Sequence, residues 1–290
     1  MTSRHSQSTQ VVTRDAVWQQ LEALKSNRRK RTQTGTFFVE GVRAINLALR
    51  HGWVIDAWVH APVDHLSDWA AGILASQPAP RHYQLTEPLL QALSNKVDRS
   101  ELCAVIQMRS QAIIPSGQIT APLLALFDRP SNKGNLGNIM RTCDGFGLHG
   151  LAITGHAVDP YDPDTIASSM GSLFAVPFAH LPDRAGIEGY LETLSSIWPD
   201  LQVIGTSAHA ERRLDEADFR LPTLLMIGNE TEGLSRHAAG LCDHMVSIPM
   251  AESASATSFN VASAAAMMFY EANRQRNWRS GGSGRVDSAK

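Results

Sequence analysis

The stretch Leu126-Phe127-Asp128-Arg129-Pro130-Ser131-Asn132-Lys133-Gly134-Asn135-Leu136-Gly137-Asn138-Ile139-Met140-Arg141-Thr142 changes character twice. It closes an apolar run that begins at Leu123, crosses a polar loop rich in Gly and Asn, and enters a segment with helical periodicity. A continuous apolar run suits a strand buried on both faces of a parallel sheet. The helix is predicted over 136–147, with Asn135 as its N-cap, because an Asn side chain accepts a bond from the unpaired N–H groups of a first turn. Arg141 then falls on the second turn, two turns short of the helix end. Taken alone, Arg141 reads as a surface salt-bridge partner.

The same alternation continues on both sides. Strands are expected near 123–127, 150–154, 175–179, 201–205, 223–227 and 245–248, and helices near 136–147, 163–170, 184–197, 234–241 and 258–274. Upstream, residues 11–27 read as a helix with Val17, Leu21 and Leu24 on one stripe. Arg28-Arg29-Lys30-Arg31 follows, leading to Gly35 and the strand-like Phe37-Phe38-Val39. Further helices near 41–51, 64–76 and 87–94, and strands near 53–59, 81–85 and 102–108, complete a smaller α/β layer. Residues 110–121 carry Pro115 and Gly117 without a strong period and read as a linker. Four segments result: a domain over 1–109, a linker over 110–121, a second α/β domain over 122–276, and a Gly/Ser-rich flexible tail over 277–290.

A chain of 290 residues, 43% apolar and 19% charged, has enough apolar surface for an ordinary core. Three cysteines without a C-x-x-C spacing argue against a disulfide framework or a zinc cluster. A polar start without an apolar segment, and the lack of a long uninterrupted apolar run, point to a soluble protein of the cytoplasm, with no membrane partner. The net charge of −2 hides a division: the first 50 residues hold nine basic and three acidic groups. A basic front on an acidic body is expected to meet a polyanion; a solvated helix face is the alternative.

Two tempting motifs fail. Gly145-Phe146-Gly147-Leu148-His149-Gly150 is literally G-x-G-x-x-G, but it closes a helix and leads into a strand. A dinucleotide fingerprint does the reverse, placing phosphate at a helix N-terminus, so these glycines read as a C-cap and turn. Asn229-Glu230-Thr231 matches a glycosylation sequon, without a secretory signal to give it meaning. The eleven histidines never take a metal-ligand spacing, and no metal is expected.

Two further segments stand out. Leu224-Leu225-Met226-Ile227-Gly228-Asn229-Glu230 ends a buried strand in a glycine and a carboxylate, where open α/β sheets bind ligands. Ile248-Pro249-Met250 leads through a small polar loop to Ser258-Phe259-Asn260-Val261, which opens an Ala-rich helix with Ala262, Ala265, Ala266 and Phe269 on one face. Core or dimer packing explains that face equally well.

Together the three segments resemble the signature motifs of the SpoU (TrmH-type) branch of the SPOUT RNA methyltransferases. N-x-G-x-I-x-R-T is met by Asn135, Gly137, Ile139, Arg141 and Thr142. G-N-E-x-x-G-L is met by Gly228, Asn229, Glu230, Gly233 and Leu234, and I-P-M…S-x-N-V by Ile248, Pro249, Met250, Ser258, Asn260 and Val261. Phe38-Val39-Glu40-Gly41 resembles the accessory substrate-binding domain of members that act on ribosomal RNA. The sequence departs from the pattern at Asn138 and Phe259, where a small residue and Leu are usual, and in a longer loop over 251–257.

The resemblance implies a SPOUT α/β domain with a C-terminal trefoil knot behind a small α/β RNA-binding domain, S-adenosylmethionine (SAM) as cofactor, and a homodimer. It implies transfer of a methyl group to a ribose 2′-hydroxyl, in 23S ribosomal RNA; a transfer-RNA methyltransferase and a catalytically silent RNA-binding paralogue remain alternatives. Asn135, Arg141, Glu230, Ser258 and Asn260 become the catalytic set, and Thr206, Gly228, Ile248, Pro249 and Phe259 the cofactor set. Arg28, Arg29, Lys30 and Arg31 become the RNA contacts. Glu230 is expected to anchor either Arg141 or the loop before it. A guanidinium pKa above about 12 makes a general base of Arg141 implausible, so a cation that holds phosphate and the developing oxyanion is expected instead.

Overall fold

The computed structural model describes residues 7–94, 100–109, 113–114 and 119–276. In chain order it runs β1 (Gln7–Val11), α1 (Ala16–Ser26), α2 (Arg28–Thr34), β2 (Thr36–Glu40), α3 (Val42–Arg50), β3 (Ile55–His60), α4 (Asp68–Ser76), β4 (Arg81–Leu85), α5 (Glu87–Leu93) and β5 (Leu102–Gln107). It continues with β6 (Leu123–Phe127), α6 (Lys133–Gly145), β7 (Gly150–Thr154), α7 (Pro163–Ser168), β8 (Phe178–Leu181), α8 (Arg184–Ile197), β9 (Gln202–Thr206), β10 (Thr223–Ile227), α9 (Arg236–Gly240), β11 (His244–Val246) and α10 (Val261–Gln275). The fold is mixed α/β, in two compact units. The first holds the described residues of Met1–Gln111 with Leu136–Arg141 and Val158–Ala175; the second holds those of Ala112–Asn135, Thr142–Ala157 and Val176–Lys290.

The first unit carries a mixed five-stranded sheet in the order β1-β4-β3-β5-β2. Strands β1, β4 and β3 are parallel, while β5 runs antiparallel to both β3 and β2. Both faces of β2 are covered, which is why Phe37-Phe38-Val39 is an unbroken apolar run. Phe38 joins Trp18, Leu21 and Leu24 of α1 and Leu90 of α5 in one core. Phe37 turns the other way, onto Trp53, Tyr161 and Phe174, with ring centroids 4.6–6.2 Å from its own. The indole N–H of Trp53 donates to the Phe174 carbonyl at 3.0 Å, so the segment after β7 is stitched to this sheet.

The second unit carries a six-stranded, wholly parallel sheet in the order β11-β9-β10-β6-β7-β8. All five residues of β6, β7 and β10 are buried, as central parallel strands require. Tyr190, Leu194 and Trp198, from α8 and its C-cap, cover part of the sheet with Leu124, Met226 and Val203. On α10 the buried stripe is Ala265, Met268, Phe269 and Ala272; Ala262 and Ala266 are only half-buried.

Several expected boundaries change. The predicted 11–27 helix begins only at Ala16, and an unpredicted strand, β1, precedes it, pairing along polar β4 through backbone bonds that side chains do not advertise. The basic run is not a connector but the first turn of α2, capped by the Asn27 side chain. Helix α6 begins at Lys133, and its N-cap is Asn132, whose side chain accepts from the Asn135 N–H at 2.9 Å. Asn135 is therefore inside the first turn, and Arg141 lies on the third turn, about one turn before the end. Strand β8 starts three residues later than expected, after a 3-10 turn over Ser172–Phe174. The 145–150 glycines do close α6 and lead into β7, with Gly147 at φ +63°. Most of the 110–121 linker and all of the 277–290 tail lie outside the described residues.

Candidate active site

Four neighbouring parallel strands of the second unit, β11, β9, β10 and β6, end on the same edge of the sheet. Their carboxyl ends are where an open α/β sheet leaves a crevice for ligands. The loops leaving β6, β10 and β11 carry the three motif segments.

At the floor of this edge lies Asp128, 2% exposed, immediately beyond β6. Its carboxylate accepts from the Thr154 hydroxyl and the Ser235 N–H, both at 2.7 Å. Burial alone would raise its pKa. The bonds from Ser235 and Thr154, with the neighbouring Arg129 charge, outweigh that and hold it below the ordinary carboxylate value. Arg129 sits at φ +52° and reaches the loop after β10 through Glu232 (2.6 Å) and the Gly233 carbonyl (3.3 Å). Asn229 answers it: its amide donates to the Arg129 carbonyl at 2.7 Å, while its oxygen accepts from Thr231 and Glu232. Asp128, Arg129 and Asn229 were not among the expected site residues. The signal for Asp128 was available, since a carboxylate directly after a buried strand must find donors.

Above this floor, Glu230 accepts from the Ser131 N–H (2.9 Å), the Ser131 hydroxyl (2.7 Å), the Asn132 N–H (3.1 Å) and the Asn135 side-chain amide (3.3 Å). Partial burial pushes its pKa up, but these bonds prevail and hold it below the usual glutamate value. Glu230 thus anchors the 131–135 loop; none of these bonds goes to Arg141. The Asn135 oxygen in turn accepts from the Asn260 side-chain amide at 3.2 Å. Asn260 is also the N-cap of α10, accepting from the Ala262 N–H at 2.9 Å. One chain of hydrogen bonds, Asn260 to Asn135 to Glu230, joins three segments that are 95 and 125 residues apart in sequence. Because Asn132 caps α6, the Asn135 side chain is free to make this bridge.

Two expected catalytic residues lie outside that chain. Ser258 is exposed in the 251–260 loop and makes no hydrogen bond among the described residues. Arg141 is exposed on α6, and its side chain makes no hydrogen bond or ion pair among the described residues. Six residues along a helix from Asn135 correspond to about 9 Å of rise and about 120° of rotation, so the guanidinium leaves another face of α6.

Four of the five expected cofactor residues stand at the β9, β10 and β11 ends, and Phe259 lies in the loop before α10. Thr206 closes β9, and its hydroxyl donates to the Met226 carbonyl at 3.3 Å. Gly228 follows β10; a Cβ there would fall 2.4 Å from Gly233 C and Leu234 N, so backbone presses on backbone. Ile248 and Pro249 follow β11, and Phe259 is 38% exposed. Close backbone at Gly228 beside the apolar side chains of half-buried Ile248 and exposed Pro249 and Phe259 is chemistry that suits a flat, hydrogen-bonding adenosine. No group of three His, Cys, Asp or Glu among the described residues is placed to hold a metal ion.

The basic run belongs to the first unit. Arg28 and Arg29 are exposed and Lys30 is half-buried. Arg31 is not a surface cation: it is 1% exposed and paired with Asp159 at 2.7 Å. Tertiary contacts explain the correction, since the Leu24 and Lys25 carbonyls and the Asp159 carboxylate draw the Arg31 guanidinium inward. No helix of the described residues is long and apolar enough to cross a membrane.

Comparison with known proteins agrees with this geometry. Residues 122–270 match the SpoU rRNA Methylase family, and residues 15–104 match the SpoU L30e-like domain. A 23S rRNA (uridine(2479)-2'-O)-methyltransferase of Streptomyces viridochromogenes is 40% identical over 92% of both chains. A 23S rRNA (guanosine(2553)-2'-O)-methyltransferase of Bacillus subtilis is 27% identical over 87% of this chain and 93% of its own. The crystal structure of the SpoU methyltransferase AviRb from Streptomyces viridochromogenes, in complex with AdoMet, superposes with a TM-score of 0.85. It is 40% identical, covering 91% of this chain and 99% of that one.

Proposed function

Because the chain belongs to the SpoU rRNA methylase family, we propose that it transfers a methyl group from SAM to a ribose 2′-hydroxyl of 23S ribosomal RNA in the cytoplasm. The observation that carries this reading is the bond chain Asn260–Asn135–Glu230, which draws the three motif segments to the ligand edge of the parallel sheet. Residues 122–276 are the methyltransferase domain, residues 1–109 the RNA substrate-binding domain, 110–121 the linker between them and 277–290 a flexible tail. Two copies form a homodimer, and the methyltransferase domain carries a C-terminal trefoil knot.

Thr206, Gly228, Ile248, Pro249 and Phe259 hold the cofactor, largely through backbone groups. SAM supplies an electrophilic methyl group on a sulfonium. Glu230 and Asn135 hold the 131–135 loop rigid, and Asn260 orients α10 and the loop that carries Ser258. Arg141 holds the target phosphate and stabilises the negative charge that develops on the attacking 2′-oxygen, as a fixed cation rather than as a base. Its lack of partners within the described residues leaves the whole fork for substrate, and its divergence from Asn135 around α6 suits a site completed by a second copy. Arg28, Arg29 and Lys30 contact phosphates.

Mapping 2′-O-methyl groups in ribosomal and transfer RNA from cells with and without the gene tests the proposal. Loss of one 23S modification is the expected result. A loss confined to transfer RNA would redirect the substrate, and an unchanged map with intact SAM binding would refute methyl transfer.

A further inference from the structure

Arg31 breaks the pattern of its own run, because it faces inward and reaches acceptors on two sides. On one side its guanidinium donates to the Leu24 and Lys25 carbonyls, at 2.9 and 2.8 Å, closing the end of α1. On the other it pairs with Asp159 at 2.7 Å and Asp162 at 3.5 Å. Both aspartates shape the start of α7. Asp159 accepts from the Tyr161 N–H through its carboxylate and from the Thr165 hydroxyl through its carbonyl; Asp162 is the N-cap, accepting from the Asp164 N–H.

Helix α7 in turn presses on α6 at Gly137. A Cβ there would meet the Thr165 carbonyl oxygen at 2.5 Å, the Ser168 Cβ at 2.6 Å and the Ser169 N at 2.8 Å. Arg141 lies four residues beyond Gly137, one turn further along the same side of α6. All these residues belong to the first compact unit. The links are ion pairs, helix caps, a buried hydroxyl bond and the close packing of α7 on Gly137.

On the reading that Arg141 acts in methyl transfer, we propose that Arg31 is a positioning residue. It ties the basic face of α2 to α7, and through Gly137 it sets where α6 presents Arg141 once RNA is engaged. A buried ion pair is a poor way to add stability, since apolar replacements of similar size are often as stable. A planar fork with fixed acceptors is a good way to set an orientation.

Arg31→Met, Asp159→Asn and the double variant test this in the full chain. Turnover on ribosomal RNA is normalised to SAM-binding sites counted by calorimetry. Each single variant is expected to lose about 100-fold in kcat, the cost of an ångström-scale misplacement. KM for RNA should move by less than about threefold, SAM affinity should stay as in the wild type, and the double variant should be no worse than the poorer single one. Arg31→Lys keeps the charge but not the fork and should recover only a minor part.

A purely stabilising Arg31 would lower the melting temperature and leave kcat per SAM site unchanged; that result, or additive losses in the double variant, would overturn the proposal. Gly137→Ala keeps the ion pair and probes the other end of the path if Arg31→Met does not fold; it should show the same loss in kcat, and full turnover would break the path. Hydrogen exchange along α6 reads positioning without turnover, so this inference and the methyl-transfer reading fail separately. Faster exchange in Arg31→Met supports the inference, and unchanged exchange overturns it.

Discussion

Glu230→Gln measures how much of the site's activity rests on loop anchoring rather than on charge. The carboxylate accepts four hydrogen bonds, two at each oxygen. Glutamine keeps one oxygen, and its amide nitrogen can point toward Ser131, whose hydroxyl can turn to accept. One backbone N–H, that of Ser131, then loses its acceptor, and the remaining bonds lose their charge assistance. Bonds to a charged group contribute about 1.5–3 kcal/mol. Glu230 is only half-buried, and solvent screening brings the expected loss to about 1–2 kcal/mol.

That loss is a factor of about 5–30 in the balance between an ordered and an open 131–135 loop. Single-turnover methylation at saturating SAM should therefore fall about tenfold, beside a comparable loss in urea unfolding. The pH dependence has a definite sign. A carboxyl whose folded pKa is held down stabilises the loop above its unfolded pKa, and this contribution is lost as pH falls through the folded value. Wild type should show that acid limb below the ordinary glutamate range, and Glu230→Gln should lack it. A 1,000-fold loss in Glu230→Gln at an unchanged urea midpoint would refute anchoring, because removing such bonds does not cost that much.

Arg141→Ala should lower single-turnover transfer by at least about 100- to 1,000-fold with SAM affinity unchanged, and Arg141→Lys should rescue little; both are read by single turnover beside calorimetry. Gly228→Ala should abolish SAM binding, because the 2.4 Å approach to Gly233 and Leu234 leaves no room for a methyl group, and calorimetry checks it directly. Replacing Arg28, Arg29 and Lys30 should flatten the salt dependence of RNA binding by about 0.7–0.9 in log–log slope per lost contact, measured by titration at several salt concentrations. Sedimentation should find the active species at about twice the 31.6 kDa chain mass; activity confined to a single-chain species would contradict the dimer.

The parallel sheet was legible in the sequence because burial on both faces demands unbroken apolar runs. Leu123–Phe127, Gly150–Thr154 and Thr223–Ile227 fall where those runs predict. The motif residues were legible for a related reason: a glycine or a carboxylate directly after such a run has little local purpose. Strand β1 was not legible. Gln7–Val11 holds one apolar residue, and its order comes from backbone pairing with β4, which no side-chain pattern reports.

The sequence placed the start of α6 three residues late for a simple reason. Asn is a good N-cap at either position, and in the fold Asn132 takes the cap while the Asn135 side chain is engaged by Glu230, 95 residues away, and Asn260, 125 residues away. Arg31 shows the same limit for charge. Four consecutive basic residues look alike in sequence, yet burial against Asp159, 128 residues further on, removes one from the surface. Local chemistry determined which segments become strands, helices and loops, β1 and α2 excepted. Contacts between distant segments decided what each polar side chain does, because a buried donor or acceptor takes whatever partner the folded chain brings to it.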